Sequence, residues 1–505
     1  MKPNVLLLFA DQHNAGILGC EDHPDVLTPH LDRLAAEGTR FRRAYCQDGV
    51  CVPSRCSLFS GLYPRTLGCL ANTDRSYVMA EVHSLASAFR DNGYATAAFG
   101  KRHLELACDH GWTETASHLA PESPGDNYVR WVHAQGLGKA FDQDWAAEWA
   151  AAPEGSPAQG QPMANTPMSF RVSDLPASAT MEAWTGRRTE EFLRARRGAD
   201  APFFCFASFY RPHQPYTPLR GYFERFDRSH WGAGRRQSDG LFQPPSLRES
   251  PDHLPPLIQE QFSKDGMFFH FGPARRDEQH YRNFLAAYYA LVEEIDTQIG
   301  GILRVLEETG QAENTLVIYA SDHGDFAGAH GLIEKIASGH NIYEDILRVP
   351  LLVRWPGRIM AGATRDDLVE LVDLYPTLAE LCGLRLPPLH HPLQGRSLAA
   401  TLVSGHPVGR RFCVSENWSQ STVITTRHKL GVWQAPRHPA KRDFRAFGDM
   451  LFDRESDPWE MHNRAGAEDY RDVEKELRGM LREWENGLAE RTPPCDPSLS
   501  ACPRP

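Results

Sequence analysis

The chain has 505 residues, which predicts about two domains. A hydrophobic content of 41% and a charged content of 24% are ordinary for a globular protein, and a net charge of −11 without any lysine- or arginine-rich run argues against a general nucleic-acid binder. The 11 cysteines have no paired spacing and no Cys-x-x-Cys, which argues against a disulfide framework and against a zinc ribbon.

Val5 to Ala10 is a continuous apolar run closed by Asp11. It is too short to span a membrane and lacks the length and cleavage site of a secretory signal, so no membrane association and a cytoplasmic location are expected. Its pattern predicts a strand buried on both faces, as in a parallel sheet. Thr28 to Phe41 reads as a helix, with Thr28 as cap, Pro29 in the first turn, and Leu31, Leu34 and Ala35 as an apolar stripe. A second helix of about two turns is predicted, since Pro53 suits a first turn and Gly61 a stop. Cys51 then lies at or just before a helix N-terminus, which favours an anion, and Arg55 stands one turn on with its guanidinium fork.

Three further apolar runs follow the same plan. Ala95 to Gly100 delivers Lys101 and His103; Pro202 to Phe209 delivers His213; Leu316 to Ala320 delivers Asp322 and His323. Between the last two, a long amphipathic helix is predicted from Tyr281 to Glu308. In open α/β sheets, ligands bind beyond the carboxyl ends of the strands, so four parallel strands of this kind would converge on one crevice. Asp11-Gln12 and Asp322-His323 offer the oxygen-rich donors that a hard divalent cation takes.

Arg348 to Arg354 reads as another strand, and a helix begins at Val372 and ends near Gly383. Composition shifts after His390-His391. We therefore expect a catalytic domain over 1–395, a smaller α+β domain over 396–492 with strands near Cys413, Val423 and Leu451 and a helix from Val473 to Leu488, and a proline-rich tail over 493–505. Segments 122–176 and 232–273 read as long excursions over the sheet edge; Trp131, Trp145, Trp149, Tyr216, Trp231 and Phe268 to Phe271 are candidates for a substrate pocket.

Cys51-Val52-Pro53-Ser54-Arg55, followed by Gly61 and Tyr63-Pro64-Arg65, resembles the signature of the type I, formylglycine-dependent sulfatases. Thr28-Pro29-His30-Leu31-Asp32-Arg33-Leu34, Gly100-Lys101-x-His103, Pro212-His213-Gln214-Pro215, Ser321-Asp322-His323-Gly324-Asp325, Val372 to Thr377, and Asp453 with Asp457-Pro458-x-Glu460 extend the resemblance over most of the chain. Because Gln12 follows the first acid, the chain looks most similar to the choline-sulfatase and phosphonate monoester hydrolase branch. The resemblance implies an alkaline-phosphatase-like α/β fold: a large, mostly parallel central sheet flanked by helices, with a smaller C-terminal α+β domain.

It also implies that a formylglycine-generating maturation enzyme converts Cys51 to an aldehyde. Asp11, Gln12, Asp322, His323 and residue 51 would hold one divalent metal ion, calcium first, with manganese or magnesium as alternatives. His323 stands where many sulfatases have asparagine, and a nitrogen donor tilts the preference towards manganese. In the implied chemistry Arg55 and Lys101 orient the aldehyde hydrate, one hydroxyl attacks sulfur, and the other loses its proton to His103. His213 and Lys335 serve the leaving group, and Asn72 binds sulfate. The substrate expected is a small-molecule sulfate ester, and the family often forms homo-oligomers. Two other readings use the same residues: a phosphonate monoester or phosphodiester hydrolase, and a non-catalytic anion-binding protein in which Cys51 stays a thiol.

Overall fold

The computed structural model describes residues 2–72, 82–104, 110–118, 125–147, 171–226, 241–242, 244–248, 256, 259, 278–335, 342–417, 419–435 and 443–491. The tail 493–505, Trp149, Trp231 and Phe268 to Phe271 lie outside the described residues.

An eight-stranded sheet forms the body. In chain order its strands are β1 (Asn4–Asp11), β2 (Thr39–Tyr45), β3 (Ala95–Gly100), β4 (Glu114–Ala116), β5 (Phe203–Pro212), β6 (Thr315–Ser321), β7 (Leu351–Arg354) and β8 (Ala363–Glu370), arranged spatially as β4-β3-β5-β1-β6-β7-β2-β8. Only β7 runs antiparallel to its neighbours. The four strands expected from apolar runs lie side by side and parallel. Val5 stands opposite Phe204 on one flank and Leu316 on the other.

Both faces of this sheet are covered, which is why its central strands are apolar throughout. Leu6, Leu8, Cys205, Val317 and Tyr319 pack under helices α1 (Pro29–Ala36), α3 (Met181–Ala195) and α4 (Glu278–Glu308), whose Leu31, Leu34, Trp184, Phe192, Ile295, Ile299 and Ile302 are buried. Val5, Leu7, Phe9, Phe206 and Ile318 face α2 (Cys51–Ser60) through Val52, Cys56 and Phe59. Each such side chain contributes about 1.5–3 kcal/mol by leaving water.

The first helix is shorter than its sequence pattern suggests: it ends at Ala36, and Phe41 belongs to β2. Gly38 makes the break, because a Cβ there would stand 2.3 Å from the Val353 carbonyl oxygen. Thr28 precedes the helix without a side-chain cap; Asp296 of α4 instead accepts the N–H groups of His30 and Leu31 at 3.1 and 2.8 Å.

A second, four-stranded antiparallel sheet lies towards the C-terminus, with β9 (Cys413–Asn417), β10 (Gln420–Ile424), β11 (His428–Trp433) and β12 (Met450–Asp453) in the order β12-β11-β10-β9. Its outer face packs on helix α5 (Arg471–Arg491) through Val423, Leu430, Leu451, Leu477 and Met480, and its inner face joins the main core through Cys413, Ile424 and Phe452. Lys429 reaches from β11 to Glu344 and Glu460 at 2.9 and 2.6 Å. Among the described residues no helix is long and apolar enough to cross a membrane.

Candidate active site

Four strand ends deliver the site. β1 ends in Asp11, the turn after β3 carries Lys101, β5 runs into His213, and the turn after β6 carries Asp322 and His323. Gly100 makes the second of these possible: its φ is +90°, and a Cβ would sit 2.0 Å from the Ser208 carbonyl oxygen. Gly324 likewise lies flat against the Asp345 carbonyl oxygen, where a Cβ would approach to 1.9 Å.

Asp11, Cys51, Asp322 and His323 each place one ligand-type atom within 4.8 Å of the others, and all four side chains are buried. Cys51 is the first residue of α2, so its sulfur sits at the positive end of the helix. It lies 3.2 Å from His323 Nε2 and 3.8 Å from Asp11 Oδ1. His323 Nδ1 donates to the Gly324 carbonyl at 2.9 Å, which turns the bare Nε2 into the cluster as ligating histidines require. Val50, before the helix, offers no side-chain cap; Asn72 Oδ1 accepts the Val52 N–H at 3.0 Å instead. Asn72, expected at the sulfate, in the structure secures the start of α2.

Arg55 is fully buried and its fork joins the two acids: Nε donates to Asp322 Oδ2 at 2.7 Å and Nη2 to Asp11 Oδ2 at 2.8 Å. Its Nη1 donates to the Lys101 carbonyl at 2.8 Å and Ser208 Oγ at 3.0 Å. The guanidinium is therefore spent on the protein, and it fixes the spacing of the carboxylates. Lys101 Nζ adds a second cation to Asp11 Oδ2 at 2.8 Å. Burial alone would push the Asp11 carboxyl up, yet Lys101, His213, Arg55 and His323 hold it well below the usual carboxylate range. Burial pushes the Cys51 thiol up to about 11, Asp11 adds to this, and Lys335 and Lys101 oppose it. At neutral pH residue 51, as a cysteine, carries its proton.

Gln12 borders the cluster in a left-handed turn (φ 67°), and its backbone N–H donates to Asp322 Oδ1 at 3.0 Å. Its amide oxygen accepts from Lys335 Nζ at 2.5 Å, and its Nε2 donates to Asp325 Oδ2 at 2.6 Å and Gln214 Oε1 at 2.9 Å. Lys335 is thereby drawn to the same crevice, 3.5 Å from Glu334. His213 Nδ1 donates to the Gln214 carbonyl at 2.7 Å and its Nε2 stands 3.9 Å from Asp11 Oδ1. Burial, then Lys101 and Lys335, hold this imidazole well below its ordinary range, so it is neutral with a bare Nε2. His103 closes the turn after β3 in a left-handed conformation, φ 52°.

Several supports were not apparent from the motifs. Ser54 Oγ donates to the Asp322 carbonyl at 2.6 Å, Tyr288 donates to the Gln12 carbonyl at 2.7 Å, and Asp325 accepts from Tyr216 at 2.9 Å. Tyr216 is thus a bracket for Gln12 and Asp325; Trp145 is buried among Phe141 and Tyr210. Ser54 and Asp325 lie inside quoted motifs, whereas nothing in sequence links Tyr288 to Gln12.

Comparison with known proteins agrees with this geometry. The sulfatase family model matches residues 3–384, and a model described as the C-terminal part of N-sulphoglucosamine sulphohydrolase matches 328–487. An arylsulfatase of Clostridium perfringens is 26% identical over 95% of this chain and 94% of its own. A multifunctional alkaline phosphatase superfamily protein of Trinickia caryophylli is 28% identical over 97% and 96%. The crystal structure of a phosphonate monoester hydrolase of Agrobacterium radiobacter superposes with a TM-score of 0.77 at 24% identity, covering 96% of both chains, and shares the alkaline-phosphatase-like fold. With its buried Asp/Cys/Asp/His cluster at the strand ends, the chain belongs to the sulfatase family of hydrolases.

Proposed function

We propose that the protein hydrolyses a sulfate ester to an alcohol and inorganic sulfate, using a formylglycine made from Cys51 and one divalent cation. The observation that carries this reading is the meeting of Asp11, Cys51, Asp322 and His323 within 4.8 Å at the N-terminus of α2. Two carboxylates and an imidazole fit calcium, manganese or magnesium; a sulfur is a soft donor in that company, and an oxygen on residue 51 completes a hard set. Asp11, Asp322 and His323 would hold the cation, which when bound offsets charge on the sulfate oxygens.

The chain's own residues have separable tasks. Arg55 holds the two acids apart, and Lys101 balances Asp11 and faces the crevice. Burial works against the charge on Lys335, but Cys51 first, then Glu334, Asp11 and Asp322, hold it as an ammonium. It is therefore the better proton donor to a leaving oxygen, while His213, neutral with a bare Nε2, accepts. His103 is the base for residue 51. A second reading, phosphonate monoester or phosphodiester hydrolysis, is favoured by one observation: a histidine in the ligand set, 3.2 Å from residue 51.

Protein co-expressed with a formylglycine-generating enzyme and loaded with calcium or manganese should release sulfate from 4-nitrophenyl sulfate. Cys51→Ala and Asp11→Asn should abolish turnover. Faster turnover of 4-nitrophenyl phenylphosphonate than of the sulfate would favour the second reading; turnover undiminished in Cys51→Ala would refute both.

A further inference from the structure

β5 ends on Arg211-Pro212, and Arg211 is a cation to which the chemistry above gives no task. It is only 5% exposed. A guanidinium taken out of water is disfavoured unless its donors are met, and an acid is the usual partner. Glu182 of α3 stands behind it: its Oε2 is 4.0 Å from Nε, and its Oε1 accepts the Arg211 backbone N–H at 3.2 Å. The two Nη atoms go elsewhere. Nη1 donates to the His213 carbonyl at 3.1 Å and to the Pro215 carbonyl, and Nη2 donates to Thr217 Oγ1 at 2.7 Å. One planar fork thus closes the turn 213–217 on itself, where a point charge has no such geometry to offer.

That turn carries His213, and the fork governs where its imidazole points. The Gln214 carbonyl, which accepts from His213 Nδ1 at 2.7 Å, lies between the two carbonyls that Nη1 takes. With the peptide groups on either side held, the direction of this one is held too. The His213 N–H donates to the Asp11 carbonyl at 3.2 Å, and Pro212 stands opposite Asp11 in the sheet. Tyr210 sets its ring across the imidazole, centroids 5.0 Å apart, and takes Lys101 Nζ over its face at 4.7 Å. Backbone, ring and Nδ1 are each anchored, which leaves Nε2 bare and 3.9 Å from Asp11 Oδ1. Of these anchors the one at Nδ1 selects the tautomer. Arg211 also opposes the rise that burial gives the carboxyls of Glu182, Asp144 and Glu294, but that task needs only its charge.

We propose that Arg211 is a positioning residue of the hydrolase: its fork holds the turn 213–217 so that His213 keeps its proton on Nδ1 and presents a bare Nε2 to the crevice. The inference rests on the hydrolase reading above and deepens it. Arg211 acts through His213 and touches none of Asp11, Cys51, Asp322 or His323 by a side-chain bond. A purely structural arginine, placed there to balance Glu182, would be replaceable by lysine and indifferent to the presence of His213.

The test measures kcat and KM for 4-nitrophenyl sulfate with the calcium-loaded full chain, co-expressed as above, and its Arg211→Met variant, each with and without His213→Ala. Arg211→Met should lower kcat about 10- to 100-fold, since displacing a reacting group by about 1 Å costs about 100-fold, and leave KM nearly unchanged. In the His213→Ala background the same change should shift kcat by less than about twofold, because the residue it acts through is gone. Arg211→Lys keeps the charge beside Glu182 without the fork and should retain most of the loss. Ring-nitrogen NMR of isotopically labelled protein, with His213 assigned by its absence from His213→Ala, should show the proton on Nδ1 in the wild type and shared between both nitrogens in Arg211→Met. Should Arg211→Met fail to fold, Thr217→Val, which exchanges the hydroxyl that takes Nη2 for a methyl group, carries the same cycle with a smaller loss. The proposal is overturned if the losses from the two sites multiply independently, if Arg211→Lys restores full kcat, or if His213 keeps a single tautomer in every variant. Absence of turnover in the wild type would strike the hydrolase reading instead, and the ring-nitrogen spectra would then decide whether Arg211 sets the tautomer.

Discussion

Replacing Arg55 by methionine keeps most of its volume and removes the charge that joins Asp11 to Asp322. In the wild type that guanidinium makes ion pairs of 2.8 and 2.7 Å with the two acids, all three groups being wholly buried. Removing one partner of a buried pair costs about 3–5 kcal/mol, because the other charge stays desolvated. Asp11 keeps Lys101 at 2.8 Å, so the cost falls mainly on Asp322, and a single penalty of that size is expected rather than two. A divalent cation held by Asp11 and Asp322 would supply the missing charge. Saturation at about a thousand times Kd adds about 4 kcal/mol, and the variant, with the more negative site, should gain more from it than the wild type. The assay is thermal denaturation of chelator-treated protein with and without calcium or manganese. The pH dependence has a defined sign. Asp11 is held below its unfolded value, so its contribution is full above that value and is lost as pH falls through the lowered one. In Arg55→Met the lowering is smaller, and so is that contribution. A metal-free variant as stable as the wild type, or a deficit that metal does not narrow, would refute the reasoning.

Three further outcomes follow from other contacts. His323→Asn exchanges the nitrogen donor at 3.2 Å from residue 51 for an oxygen, and metal titration of the stripped enzyme should show its preference move from manganese towards calcium. Lys429→Met leaves Glu344 and Glu460 without the buried ammonium they share at 2.9 and 2.6 Å; thermal denaturation should show a loss of about 3–5 kcal/mol, and the Lys429→Arg variant should recover part of it. Burial, reinforced by Glu182, pushes the Glu294 carboxyl up to about 8, so it folds protonated. Its penalty is absent below the unfolded value, grows as pH rises towards 8, and is full above that; Glu294→Gln should therefore stabilise the protein more at pH 9 than at pH 5, by about 1.4 kcal/mol for each unit of the raised pKa.

The parts of this fold that can be read from sequence are those where one physical cause dominates. β1, β3, β5 and β6 are buried on both faces, so their apolar runs are continuous, and each leads into residues of the candidate site. β2 and β8 are hard to read because they lie towards one edge of the sheet and carry charge: Arg40, Arg42 and Arg43 in one, Arg365, Asp366 and Asp367 in the other, held as strands by pairing with each other and, for β2, with β7. The helical pattern from Thr28 to Phe41 outruns the helix for a different reason: Gly38 breaks it through a close contact with β7 that sequence does not reveal. β11 begins His428-Lys429, an unpromising strand start until Lys429 is seen to bond Glu344 and Glu460. At the site, residue types and motifs located Asp11, Cys51, Asp322 and His323. What they do not give is direction: Arg55 has the same letter whether its fork faces a substrate or two carboxylates, and only the fold decides.

The most direct test of the central claim is the mass of the peptide containing residue 51, taken from protein that turns over 4-nitrophenyl sulfate. An aldehyde is expected there, with the sulfur and two hydrogens of Cys51 exchanged for one oxygen. An intact thiol in fully active protein would contradict it.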